Sequence, residues 1–362
     1  MVMEGGLTRL LNYLVSRYII FHLENPPSLE LPLEIEHVQD ETELIRTVNE
    51  IPQIEKEMVA IDGSSRSHVF SQGIVSLSSV SAFSSTKGIK GMFPSFNEEM
   101  SLELNEPFIA LATPYASTGR IEDFLLHPLI TKLPMNEGSF QVDLSRLEME
   151  LRFSLETACL SKFRNSPLVL VDGPLIPRFI YLDKSVVRHL IDRRKKIIGS
   201  NFVGIVKRVN TSTTLLNALK EGKMRNYFMI KYKIDPISFS NDEAFIIHLI
   251  EKNFKPPFKP LIIGPVSRQI EDVEITSSYL VIPFHPFTKK FSILRAEYTQ
   301  DSVKPEELLS IPMSADGIPI PLALADKSAK EMSEATFNLL IQELIRDGIQ
   351  SAFYSRLEGM RS

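Results

Sequence analysis

The sequence predicts an α/β fold: a mixed sheet, part antiparallel meander and part parallel, flanked by helices. Three observations predict it. Strand-like runs lie close together around Met58–Asp62, 67–72 and 74–83, and runs joined by short turns pair antiparallel. A long amphipathic helix then leads to a five-residue apolar strand, Leu168-Val169-Leu170-Val171-Asp172. A second helix leads on to another strand, Phe202–Lys207, and strands that alternate with helices pair in parallel.

The elements follow in order. Leu7, Leu10, Leu11, Leu14 and Tyr18 recur at helical spacing. Arg9 and Arg17 interrupt the apolar stretch and no small-residue cleavage site follows, so it reads as an amphipathic helix rather than a signal peptide. Asn25-Pro26-Pro27 ends it, and a Pro- and Glu-rich connector follows. Residues 40–49 read as a short helix with Asp40 as cap. Residues 1–50 thus form a helical segment with its connector, and 51–362 one domain with insertions around 85–140 and 210–310.

Met58-Val59-Ala60-Ile61-Asp62 is the first strong strand, and Gly63 with Ser64-Ser65-Arg66-Ser67 reads as a polar turn after it. Residues 107–113 add a strand. Leu144, Leu147, Leu151, Leu155 and Ala158 share one face of a helix over 142–163, which Asn165-Ser166-Pro167 stops. Further on, helical pieces at 213–221 and 242–254 alternate with strand pieces at 278–284 and 290–298. The last helix spans roughly 325–355, after Gly317-Ile318-Pro319-Ile320-Pro321.

Composition excludes several function classes. In 362 residues, 43% apolar and 23% charged residues make a globular chain, not a disordered one. With 40 basic and 45 acidic residues the net charge is −5, which argues against coating nucleic acid by bulk charge but leaves room for a local basic groove. The single cysteine, Cys159, lies in an apolar helical pattern, so there is no disulfide scaffold, and a reducing, cytoplasmic setting fits. No uncharged apolar run is long enough to span a membrane. There is no Gly-rich phosphate loop for ATP and no Cys/His set for structural zinc.

The chemistry-bearing residues are acids. Two apolar strands end in Asp-Gly, at Asp62 and Asp172, which places carboxylates at a sheet rim where open α/β sheets bind ligands. Asp-Gly is also a common turn pair. The helix between them carries Glu148, Arg152 and Glu156 along one side of its apolar stripe. Strands rise about 3.3 Å per residue and helices about 1.5 Å, so the helix reaches the level of Asp172 roughly ten residues back from its end. Glu150 and Glu156 fit in height, and Glu150 points away from the stripe, which leaves Glu156. Asp326 adds a fourth acid at the start of the last helix.

Carboxylates so gathered cannot all stay ionised without a cation, and oxygen donors favour Mg²⁺ or Mn²⁺. Two such ions would clamp the attacking and leaving oxygens of a phosphodiester. Asp on the first strand, Glu on the first long helix, Asp on the fourth strand and an acid on a late helix is the plan of RNase H-like nucleases. The basic run Asp192 to Lys196 reads as a solvated helix face or a phosphate-tracking patch, and Lys220, Lys223 and Arg225 form a second. His285 falls in a turn, and Arg295 sits mid-strand where it could pair with a carboxylate or reach DNA.

With those residues in view the chain resembles the NurA nucleases. The resemblance rests on Ala60-Ile61-Asp62-Gly63-Ser64-Ser65, the Leu155-Glu156 helix, Leu170-Val171-Asp172-Gly173-Pro174-Leu175, the strand ending in Lys207, and Gly317-Ile318-Pro319-Ile320-Pro321-Leu322 with Ala325-Asp326. It implies an RNase H-like core and a manganese-dependent (or magnesium-dependent) deoxyribonuclease, with two ions. It also implies degradation of DNA from 5′ ends, cutting of single strands, and work as a homodimer beneath a hexameric HerA-type ATPase in DNA end processing. Asp62, Glu156 and Asp172 match the family's metal-binding carboxylates, and Lys207 matches a basic residue facing the scissile phosphate. The family often has Tyr where Ile318 stands and His where Asp326 stands. Asp for His keeps metal-ligand capacity, and Asp326 joins the expected metal and catalytic set. Ile for Tyr removes a polar group and motivates a rival: a catalytically weakened subunit that binds DNA or docks on the motor.

Overall fold

The computed structural model describes residues 36–38, 44–70, 73–112, 130–133, 144–177, 184–220, 222–270, 273–299 and 303–346. Its strands are β1 (Glu36–Val38), β2 (Ile45–Thr47), β3 (Met58–Phe70), β4 (Gly73–Ser84), β5 (Gly88–Phe93), β6 (Ile109–Ala112), β7 (Ile130–Leu133), β8 (Leu168–Asp172), β9 (Phe202–Val206), β10 (Leu261–Ile270), β11 (Val273–Pro283) and β12 (Phe291–Tyr298). Its helices are α1 (Leu144–Lys162), α2 (Lys184–Lys195), α3 (Thr214–Leu219), α4 (Gly222–Lys231), α5 (Asp242–Asn253), α6 (Pro305–Leu308) and α7 (Ile320–Arg346). No helix among the described residues is long and apolar enough to cross a membrane. The expected N-terminal helix and the Asp40 cap lie outside the described residues.

The chain divides into two compact units, Met1–Asn49 with Arg208–Leu294, and Glu50–Lys207 with Arg295–Ser362. The division falls within β12.

In the second unit, β3, β4 and β5 form an antiparallel meander, but not from the runs expected: the runs at 58–62 and 67–72 are one strand, β3, and the third strand is β5, in the region read as an insertion, while β8 pairs in parallel with β3 and β9 in parallel with β8. The resulting order β5–β4–β3–β8–β9 is the RNase H-like one, and the sheet is mixed and flanked by helices. Arg295–Glu297 of β12 extend it antiparallel to β9, and β6 shares the outer edge of β4 with β5. Both faces of β3 and β8 are covered, which is why they read as continuous apolar runs. Cys159 is buried in α1, and burial pushes its thiol up.

One expectation is corrected here. Residues 64–67 are not a turn, because β3 runs unbroken for 13 residues. Polar side chains are tolerated there because each finds a partner. Ser65 bonds Ser78, Ser67 donates to Ser76, and Ser333 donates to Ser64. Asp62 therefore lies mid-strand, whereas Asp172 does end its strand and Gly173 makes the turn with φ of 85°.

The first unit packs α3, α4 and α5 on β10 and β11 around Leu215, Leu219, Phe228, Phe245, Leu249 and Tyr279. The expected helix over 40–49 is replaced by strand at β2, which pairs with Leu261–Ile263. Leu44 and Val48 are buried as a helical spacing suggests, but the backbone finds its partners across the ladder. Strand β10 itself was not expected, because Gly264-Pro265 interrupts its apolar run. His285 sits exposed in the β11–β12 turn, its Nδ1 accepting from the Phe287 amide.

Candidate active site

All five predicted site residues belong to the second unit. The sheet register brings three of them together. Ile61 lies opposite Val171 in the parallel ladder, so the next rung sets Asp62 beside Asp172. Asp172 in turn lies opposite Ile205, and side chains alternate, so Lys207 falls on the same face just past the end of β9. Ser64 and Arg66, on the Asp62 face of β3, touch Ser333 and Glu334 of α7. That face is therefore the one covered by the helix that carries Asp326. The helix starts at Ile320, earlier than expected, so Asp326 sits in its second turn rather than at its start.

Glu156 comes from the other side of the sheet. Gly63 and Ser65 face α1, where Ser65 Oγ donates to the Glu148 carbonyl. The approach is close enough that a Cβ on Gly63 would lie 2.7 Å from Arg152 Cγ and 2.8 Å from Glu156 Oε1. Glycine after Asp62 is thus required by this helix rather than by a turn.

The electrostatics tie the acids together. Asp62 is 3% exposed, and its Oδ2 has no hydrogen-bond partner among the described residues. Burial pushes its carboxyl well above the ordinary value, with Asp172, Glu156 and Asp326 adding to the push and Lys207 opposing it. Burial also raises Glu156, against the pull of Arg152 and Arg194. Lys207 Nζ stands 2.8 Å from Asp172 Oδ1. Burial works against its charge, but Asp172, Asp62 and Asp326 prevail and hold its ammonium above the usual range.

Each acid except Asp62 leans on a cation. Asp172 has Lys207, and Asp326 accepts from Lys330 Nζ at 2.7 Å. Glu156 lies 3.6 Å from Arg152 and 3.5 Å from Arg194. Consistent with that, no three His, Cys, Asp or Glu side chains among the described residues are grouped closely enough to hold one metal ion as they stand. The donor set still suits a hard cation: oxygen ligands only, an excess of negative charge, and one buried carboxylate oxygen without a partner.

Two residues were missed by sequence reasoning. Arg194 was read as part of a solvated or phosphate-tracking run, yet it is 1% exposed. Its Nε donates to Thr157 Oγ1 and its guanidinium lies 4.2 Å from the centre of the Phe153 ring. Burial pulls it down to about 10, still charged at neutral pH, so it serves as a buried counter-ion for Glu156. Its spacing from Leu190, four residues back on one helix face, was the available signal. The neighbouring Arg193 pairs with Glu106. Glu297, also 1% exposed, accepts from the Leu175 amide at 3.0 Å and pairs with Arg295 at 2.9 Å. It thereby fixes the loop that follows Asp172, and Arg295 serves that carboxylate. In the second basic patch Arg225 is held by both oxygens of Asp235.

The turn before α7 closes through Ser314, whose amide donates to the Ile318 carbonyl at 2.7 Å. Ile318 is half-buried there and Pro321 enters the first turn of the helix.

The NurA domain family model matches residues 56–331. Among solved structures, the chain is similar to the NurA nuclease from Sulfolobus solfataricus, at 15% identity and a TM-score of 0.49, covering 96% of this chain and 98% of that one. It is also similar to a NurA with manganese, at 11% identity and a TM-score of 0.43, covering 91% and 97%. No curated protein matches.

Proposed function

The chain belongs to the NurA family, and from that membership we propose that it is a metal-dependent deoxyribonuclease that hydrolyses phosphodiester bonds. The observation that carries the site is the register: Asp62 and Asp172 side by side on parallel strands, with the partnerless Asp62 Oδ2 and the Lys207 ammonium on one face. Asp62 and Asp172 would hold Mn²⁺ or Mg²⁺, with Glu156 and Asp326 completing a site for two ions. Such ions, when bound, neutralise the clustered carboxylates, polarise the phosphoryl group and acidify water.

The chain's own groups do the rest. Lys207 presents a charged ammonium to the face where negative charge develops on the phosphoryl oxygens. Arg194 and Arg152 each pair with one oxygen of the Glu156 carboxylate, whose Oε1 lies close against Gly63. Glu297 holds the loop after Asp172, so the Asp172 side chain keeps its height at the rim.

The proposal extends to the family's wider role: 5′–3′ exonuclease and single-strand endonuclease action on DNA ends, as a homodimer with a HerA-type hexameric ATPase. Family membership alone supports that extension. The second reading is a catalytically weakened subunit that binds DNA or docks on the motor. It is favoured by the cations that occupy Asp172, Glu156 and Asp326 and by the lack of a ready three-donor group among the described residues.

Cleavage of labelled linear DNA with Mn²⁺, with Mg²⁺ and with EDTA, comparing the intact protein with Asp62→Ala, tests both. Metal-dependent cutting that disappears in the variant supports the nuclease and its first ligand. Equal cutting by the variant removes this site, and no cutting under any condition favours the weakened subunit.

A further inference from the structure

Ser81 is the cross-strand neighbour of Asp62, and its hydroxyl is the odd one out on the β3–β4 hairpin. Strands β3 and β4 carry serines at 64, 65, 67, 76, 78, 79, 81 and 84. Ser64 accepts from Ser333, Ser65 bonds Ser78, and Ser67 donates to Ser76. Ser79 donates to the Ala329 carbonyl, and Ser84 donates to Glu57. Ser81 alone in this set has a buried hydroxyl with no partner among the described residues, and it is 0% exposed.

The register explains where that hydroxyl lies. Asp62 stands directly opposite Ser81, and Ser64 opposite Ser79. Residues directly opposite in an antiparallel pair share a face, with Cβ atoms about 4.5–5.5 Å apart. Ser79 and Ser64 on that face are anchored to α7. The next rung holds two buried oxygens without partners, Asp62 Oδ2 and Ser81 Oγ. A hydroxyl left unsatisfied in a core destabilises it and calls for a reason. Alanine or valine would pack there without that cost.

We propose that Ser81 is a positioning residue for Asp62: in the cation-loaded site its hydroxyl donates to the Asp62 carboxylate, fixing the orientation in which that carboxylate holds the ion. The proposal rests on the metal-site reading given above. Hydrogen bonds to a ligating carboxylate orient it, and losing such a partner typically weakens metal binding about 10–100-fold.

The test is a calorimetric titration of Mn²⁺ into the full chain, stripped of metal with EDTA and freed of it, for the intact protein, Ser81→Ala and Asp62→Asn, with a thermal melt of each. Binding in the intact protein, its loss in Asp62→Asn, and an affinity about tenfold or more weaker in Ser81→Ala at an equal or higher melting temperature support the proposal. Ser81→Ala that binds Mn²⁺ as the intact protein does overturns it and leaves the metal site standing. Weaker binding together with a lower melting temperature also overturns it, since that is the signature of a hydroxyl that only holds the fold. An intact protein that binds no Mn²⁺ takes down the metal-site reading and this proposal with it.

Discussion

Asp242 and Asp62 are both inaccessible aspartates, one in each unit, and they are built in opposite ways. Asp242 opens α5 in the first unit and is 0% exposed. Its oxygens accept from Ser212 Oγ at 2.5 Å, Tyr279 Oη at 2.6 Å and the Leu216 amide at 3.0 Å. Those bonds tie α3 and β11 to the start of α5. Asp62 is buried almost as deeply, but that burial raises its carboxyl, three other acids add to the push, and one of its oxygens bonds to nothing described. Burial alone therefore does not mark a functional carboxylate. The two differ in their supply of donors: both Asp242 oxygens accept hydrogen bonds, whereas Asp62 Oδ2 has no partner among the described residues, as the proposed metal site requires.

The sharpest way to break this contrast is to neutralise Asp62. Asp62→Asn is expected to cut DNA cleavage at least about a thousandfold, roughly 4 kcal/mol of barrier, while its melting temperature stays level or rises. A melting temperature that drops by many degrees would put Asp62 with Asp242 as a structural acid.

The converse change comes next in size. Asp242→Ala strands the Ser212 and Tyr279 hydroxyls and the Leu216 amide, and should cost about 3–5 kcal/mol in urea unfolding. A loss under about 1 kcal/mol would show that those donors find other acceptors.

Gly63→Ala sharpens the comparison locally. The added methyl meets Arg152 and Glu156, so a destabilisation of about 1–3 kcal/mol is expected, together with reduced cleavage as Glu156 is displaced. Unchanged activity would mean that Glu156 need not approach so closely.

The smallest effect is in pH. The folded Asp62 carboxyl lies above its ordinary value of 3.8, so the folded protein binds more protons than the unfolded chain in the window above 3.8. Its contribution to stability is fully present below that value and is lost as pH rises through the raised folded value. In metal-free protein, melts across that window should show the intact chain losing stability with rising pH relative to Asp62→Asn. Parallel profiles would mean that Asp62 is not perturbed.

Much of this was legible in the sequence. The apolar run Leu168–Val171 and the helical spacing of Leu151, Leu155 and Ala158 placed β8 and α1, and with them Asp172 and Glu156. Local periodicity carries such information because each residue's own burial writes it. Strand β10 was hidden by Gly264-Pro265, and β2 by an apolar spacing that also fits a helix. Strand β2 owes its conformation to the backbone of β10, and β10 its own mainly to that of β11, which no local pattern records.

The sequence by itself determined the apolar runs of β8 and β9 and the buried face of α1, and pointed to the acids of the proposed site, because composition and spacing fix what a segment can bury. Only the tertiary structure decided what stands beside each acid. It made Arg194 a buried partner of Glu156 rather than a surface charge, made Gly63 the gap through which α1 approaches, and set Ser81 across from Asp62 without a bond. The physical reason is that counter-charges, close approaches and cross-strand neighbours belong to pairs of residues far apart in the chain, and only folding brings the pairs into being.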